Sequence, residues 1–329
     1  MKLNSILFSI AYCLVTSSLQ FIPAIAQVSP KDSTLELNAG ESNWDDRADR
    51  TSIDAFLSAQ SNALNTVSSN GQISNKPLVF LLMGQSNACG AGDVGDTENY
   101  LTQHPNVRKY VQSTSNESEQ FTQKLVPFCE MWHDHNANGK ASLMNSFLQE
   151  MVQQFPQQKF DVLNCSIPGS SIRSYEKGKA IEMNFYGNNF QTGDSNIYEH
   201  CVRRTKEVLD KGGGVLAGVL FHQGESDNAA SYWKPAVENV VRNFRQDLNS
   251  DVPFVFGHIV PIPENEKHNQ IVDSLKDTNN GIGVVSSQDL SYQSDRLHFD
   301  EQGSLGLGVR YAEEMSKFLN LETNSTIKN

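Results

Sequence analysis

The chain has 329 residues, of which 38% are hydrophobic and 19% charged, and a formal net charge of −12. That length and composition allow a sizeable core and exclude disorder throughout. The acidic balance, with no basic stripe, excludes a nucleic-acid surface, since phosphate recognition needs clustered Lys and Arg. At the start, Lys2, the apolar stretch Ile6 to Val15 and the small-x-small Ala24-Ile25-Ala26 read as a secretory signal over residues 1–26. The alternative is a membrane anchor, but the apolar part is shorter than the roughly 18 residues of a spanning helix and Pro23 interrupts its end; no other stretch is apolar enough to span, so no membrane span is expected after removal of the signal. Cleavage takes Cys13 away and leaves Cys89, Cys129, Cys165 and Cys201, an even set in an oxidising compartment with its pairing open. None of the four forms a CxxC, which argues against zinc and leaves no metal expected.

Residues 27–75 are polar and read as a linker with one weak helix between Asp49 and Leu64, before a domain over 76–320 and a short tail over 321–329. The domain opens on an apolar run, Leu78 to Met83, bounded by Pro77 and Gly84, which reads as a strand buried on both faces. Residues Ala88 to Lys140 show few periodic signals and read as a long irregular region. Ser142 then caps a helix whose apolar face runs from Leu143 to Phe155, followed by a strand, Phe160 to Ser166. A helix from Ile197 stops at Gly212-Gly213-Gly214 before strand Val215 to His222. Helix Ser231 to Leu248, strand Val252 to Val260, strand Ile282 to Ser286 and a helix from Asp300 to Leu319 complete the pattern. The alternation predicts a three-layer α/β/α sandwich with a five-stranded parallel sheet and a site at the carboxyl ends of its strands.

Four polar segments fall at or after those strand ends: Gly84 to Asn87 (GQSN), Pro168 to Ser171 (PGSS), His222 to Asp227 (HQGESD) and Asp295 to His298 (DRLH). Acyl transfer needs a hydroxyl nucleophile, an imidazole base, a carboxylate to orient it and donors for the oxyanion, and these segments contain each part. Ser86, after a tight turn at Gly84, can present its hydroxyl at the sheet edge; the ordinary alternative is a serine capping the next helix. His298 with Asp295 can supply base and acid, against the alternative of an exposed turn before a helix capped by Asp300. In HQGESD, Gln223 can donate to an oxyanion and Glu225 can brace the loop, while Asp227 reads as a cap for the next helix. Gly169 offers a backbone N–H with no side chain in the way.

The order GQSN, GSSI with Lys177-Gly178, HQGESD and DxxH before a helix resembles the SGNH hydrolase superfamily, and within it the sialate O-acetylesterase and acetylxylan esterase-like branch. The resemblance covers about Pro77 to Leu319. It implies Ser86 as nucleophile, Asp295 and His298 as acid and base, and Ser86, Gly169 and Gln223 around the oxyanion, with Gln85, Asn87 and Glu225 in support. It implies no metal or organic cofactor, and an acetylated sugar or polysaccharide as substrate. Gln223 stands where other members of the superfamily carry asparagine. A catalytically inactive carbohydrate-binding protein on the same fold is the non-enzymatic alternative.

Other features read more plainly. His133-Asp134-His135 supplies two metal-ligand types without a third ligand, and reads as a surface loop. Trp132, Phe185, Tyr186 and Trp233 are candidates to stack on a sugar ring or to pack. Cys89 and Cys165, both near strand ends, are either a disulfide across the nucleophile loop or two buried thiols. Asn116, Asn164 and Asn324 begin glycosylation sequons, with Asn164 inside a strand.

Overall fold

The computed structural model describes residues 76–90, 101–111, 120–125, 142–180 and 196–319. In chain order these form β1 (Leu78–Gly84), the single turn α1 (Ser86–Cys89), β2 (Val107–Val111), β3 (Gln120–Thr122), α2 (Leu143–Gln154) and β4 (Phe160–Ser166). There follow α3 (Ile197–Gly212), β5 (Val215–His222), α4 (Trp233–Leu248), β6 (Phe254–Gly257), α5 (Glu266–Asp273), β7 (Ile282–Val285) and α6 (Glu301–Ser316). The strands make one sheet in the order β3-β2-β4-β1-β5-β6-β7. All neighbours are parallel except β3, which runs antiparallel to β2 at the edge.

The sheet therefore has seven strands rather than the five expected. The two extra strands come from the stretch read as irregular, where Arg108, Lys109 and Gln120 break any apolar run. Their charges are accommodated at the edge: Arg108 donates through Nε and Nη2 to the two oxygens of Asp161 on β4, at 2.8 and 2.7 Å.

Because successive strand residues face opposite ways, β1 feeds two cores. Val79, Leu81 and Met83 pack with α3 and α4, whereas Leu78, Phe80 and Leu82 pack with α2 and α6. The result is the three-layer α/β/α arrangement the alternation predicts. Its helices start and stop where capping chemistry allows. Ser142 Oγ accepts from Met144 N–H while Ser142 N–H donates to Asn145 Oδ1, Gly213 closes α3 in the left-handed conformation, and Asp300 accepts from Gly303 N–H. Among the described residues no helix is long and apolar enough to cross a membrane.

Strand order fixes where a site can form. The chain moves from β1 outward to β2, returns through β4 beside β1, and crosses to β5 on the other flank of β1. The carboxyl end of β1 is thus the point at which the direction of winding reverses, and a crevice opens there in sheets of this kind.

Cys89 is disulfide-bonded, and Cys165 and Cys201 are buried thiols that take no part in a disulfide. The alternative of a Cys89–Cys165 disulfide is thereby overturned, and the partner of Cys89 lies outside the described residues. So do residues 1–75, the His133–His135 segment, Trp132, Phe185, Tyr186, Asn116, Asn324 and the tail.

Candidate active site

β1 ends on Gly84, whose φ of +135° is open in practice only to glycine, and a Cβ there would stand 1.9 Å from His222 O. The backbone can therefore turn tightly against β5, with Gln85 N–H donating to His222 O at 3.1 Å, and begin α1 at Ser86. As the first helical residue, Ser86 has a backbone N–H with no intrahelical acceptor. From below, Tyr175 secures the turn: its hydroxyl meets Gly84 O, and Gly84 N–H donates to it at 3.3 Å. Burial pushes the Tyr175 phenol far up, so it stays a neutral donor.

The segment before α6 brings the imidazole over. Asp295 Oδ1 accepts from Leu297 N–H at 2.9 Å and His298 N–H at 3.0 Å, Oδ2 lies 2.7 Å from His298 Nδ1, and His298 Nε2 lies 2.9 Å from Ser86 Oγ. A carboxylate can only accept, so Nδ1 carries the hydrogen and Nε2 is left to accept from Ser86. Partial burial pushes the Asp295 carboxyl up, but the N–H groups of His298 and Leu297 and the imidazole outweigh it. The net shift is downward, and the group stays ionised. Arg296, at a φ of +58°, braces the turn from outside through Glu264, at 2.8 and 2.7 Å.

Asn87 joins the two segments. Its Nδ2 donates to Leu297 O at 3.0 Å and its Oδ1 accepts from Phe299 N–H at 3.0 Å, so the residue after Ser86 grips the chain on both sides of His298. The other hydrogen of Nδ2 goes to Glu225 Oε1 at 2.5 Å. Full burial pushes the Glu225 carboxyl up, but His222 and then Asn87 pull it down by more, and it remains charged.

On the opposite side of Ser86, the segment after β4 leaves the sheet beside the turn, with Ile167 N–H donating to Gly84 O at 2.8 Å. Gly169 follows at a φ of +72°, and its N–H has no acceptor among the described residues. Gln223 Nε2 donates to Asp227 Oδ2 at 2.5 Å and has longer contacts to Gln85 Oε1 at 3.2 Å and Ser170 O at 3.3 Å. One amide hydrogen is thus fixed on Asp227, and the second is shared between two distant acceptors. Trp233 Nε1 donates to Gln223 Oε1 at 2.6 Å and fixes which end of the amide faces the crevice.

The sequence-derived residues Ser86, His298 and Asp295 are brought into one hydrogen-bonded line, with Gln85, Asn87, Gly169, Gln223 and Glu225 around it. Two assignments change. Trp233 is buried with its indole N–H committed, so it is no sugar-stacking surface. Asp227 does not cap α4, which begins at Trp233 without a side-chain cap; it bridges loops instead. Tyr175 was not singled out, because an aromatic residue in a short turn carries no pattern that announces its contacts.

With this geometry in view, comparison with known proteins is informative. The family model for carbohydrate esterases of the sialic acid-specific acetylesterase type matches residues 76–317. The chain belongs to that family. A probable carbohydrate esterase of Arabidopsis thaliana, At4g34215, is 27% identical over 160 residues, covering 45% of this chain and 52% of the relative. This family member thus spans about half the length of the curated relative it matches. The solved structure of the Arabidopsis thaliana protein AT4G34215 superposes with a TM-score of 0.56 at 22% identity, covering 74% of this chain and 98% of that one. The structure of NanS superposes with a TM-score of 0.53 at 16% identity, again over 74% and 98%. At such identities the likeness shows a shared fold, and the carbohydrate esterase family assignment rests on the family model.

Proposed function

We propose that the protein is a secreted serine esterase that removes O-acetyl groups from carbohydrates by a two-step mechanism. The observation that carries this reading is the line from Asp295 through His298 to Ser86, with 2.7 and 2.9 Å links, at the carboxyl edge of the sheet. Membership in a carbohydrate esterase family supports the substrate class.

In the first step His298 Nε2 takes the Ser86 proton as Oγ attacks the acetyl carbonyl, and the developing oxyanion is met by the N–H groups of Ser86 and Gly169. Gln223 adds a third donor by exchanging its long contacts for the oxyanion. The imidazolium, held by ionised Asp295, passes its proton to the departing sugar oxygen and leaves an acetyl-serine. Water, deprotonated by His298, then releases acetate and restores Ser86.

Secretion is supported by the signal-like residues 1–26 and by the disulfide at Cys89, a bond typical of oxidising compartments. Recovery of a mature protein whose sequence begins near Gln27 would test it.

The test of the chemistry is acetate release from p-nitrophenyl acetate and an acetylated xylooligosaccharide by the wild type and by Ser86→Ala. The variant is expected to lose at least about 10³-fold in kcat. Retention of wild-type turnover by Ser86→Ala, or a folded wild type inert on every acetyl ester tried, overturns the proposal.

A further inference from the structure

Asp227 is 4% exposed, and no step of the mechanism above uses it. Its carboxylate accepts four hydrogen bonds from two loops, the one after β4 and the one between β5 and α4. Oδ1 takes Ser171 Oγ–H at 2.7 Å and Tyr232 O–H at 3.0 Å, and Oδ2 takes Ile172 N–H at 2.7 Å and Gln223 Nε2–H at 2.5 Å. Two of these donors belong to the loop after β4, which carries Gly169. A third is the amide of Gln223 after β5, and the fourth precedes α4.

β4 and β5 are not neighbours; β1 lies between them. The ladder holds Ser166 and His222 on either side of Gly84, but no ladder bond reaches Gly169 or Gln223 in the loops beyond them. Within the described residues the direct ties across this gap include the Asp227 carboxylate, the long Gln223 contact to Ser170 O at 3.3 Å and the Arg173 guanidinium over the Tyr232 ring at 4.0 Å. The short, charge-assisted bonds belong to Asp227, and these are the strong ones. The carboxylate also selects which hydrogens of Gln223 remain for the crevice, with Trp233 holding the other end of the amide.

We infer that Asp227 is a positioning residue that sets the spacing of the oxyanion donors, linking the Gly169 loop to the Gln223 amide across the end of β1. It touches no substrate atom and acts through the groups it holds. This rests on the esterase reading above. An oxyanion hole works by preorganisation, because donors already in place cost no reorganisation as charge develops. Loosening the link should therefore weaken binding of the tetrahedral state and leave ground-state binding nearly unchanged.

The experiment compares wild type, Asp227→Asn, Gln223→Ala and the double variant on p-nitrophenyl acetate, together with the inhibition constant of a boronic acid that forms a tetrahedral adduct on serine. Asp227→Asn keeps the shape but turns an NH2 toward donors. Its kcat is expected to fall about 10- to 100-fold with KM changed less than about threefold, and boronate affinity to fall in parallel. In the Gln223→Ala background the same substitution should cost distinctly less, since part of its effect passes through that amide.

Ser171→Ala removes one of the four donors and leaves the carboxylate in place. A smaller loss of kcat, again with KM held, is expected there, and this variant carries the test if Asp227→Asn does not fold. Equal kcat and boronate affinity in folded Asp227→Asn, or in Ser171→Ala where only that variant folds, overturns the inference. So does a loss of activity that appears in KM alone, or one fully additive with Gln223→Ala. A wild type without esterase activity would instead sink the functional proposal itself.

Discussion

At the scale of single residues, the two that flank the Gln85-Ser86 pair decide whether the serine proposed as nucleophile is held in place. Gly84 has no substitute: a methyl group would meet His222 O at 1.9 Å and would also require a backbone conformation closed to alanine. Gly84→Ala is expected to lose at least about 3 kcal/mol of stability, read as a lowered urea midpoint, because neither the backbone of β5 nor the turn can give way. Asn87 acts differently, since it is not needed for β1 to form. Asn87→Ala would release the chain on both sides of His298 and leave Glu225 charged without its amide donor. Its kcat on p-nitrophenyl acetate is expected to fall about tenfold or more, equivalent to one misplaced hydrogen bond, with the far-ultraviolet circular dichroism unchanged. Wild-type kcat in that variant would show that His298 is held without it.

At the scale of elements, α5 has a consequence of its own. His268 on α5 is buried, lies edge-on to Trp233 with ring centroids 4.6 Å apart, and accepts from Ala229 N–H through Nδ1 at 3.1 Å. A Cβ on Gly224 would stand 2.0 Å from His268 Nε2, so the glycine of HQGESD is what allows α5 to seat against that loop. Burial lowers the imidazole from 6.5 to about 4. A base whose folded value is depressed stabilises the fold above its unfolded value and loses that contribution as pH falls toward the folded one. Stability should thus decline between about pH 6.5 and 4, by about 3 kcal/mol at most from this group. Urea unfolding at pH 7 and 4.5 should show the decline in wild type and a smaller one in His268→Gln, and equal declines would remove His268 as its cause. The same helix illustrates why some elements were legible in the sequence and others were not. β1, β4 and β5 are buried on both faces and announce themselves as apolar runs. In α5 only Ile271 and Val272 look apolar, and His268 counts as polar until its place against Trp233 is known. β2 was hidden because Arg108 finds its partner, Asp161, 53 residues away. The site divides in the same way. Ser86, Asp295 and His298 carry chemistry in their side-chain types, so spacing and order can suggest them. Asp227 and Trp233 act through neighbours that only the sheet order brings close, and a carboxylate ahead of a helix reads as a cap.

At the scale of the whole molecule, the position of β1 in the middle of the sheet matters for more than the crevice. The first strand of the domain has β4 on one side and β5 on the other; it needs both before its two edges are paired, and α2, α3, α4 and α6 before its two faces are covered. The proposed nucleophile at its end, Ser86, is 212 residues ahead of the imidazole it meets. At the synthesis rate of about 5–20 residues per second, roughly 10–40 s separate the making of Ser86 from the making of His298. Throughout that interval the serine is without the imidazole proposed as its base, so the emerging chain is expected to be inert toward esters around it. On the proposed mechanism, turnover therefore reports that synthesis has passed His298: a chain ending anywhere before it lacks the base however well the earlier strands have packed.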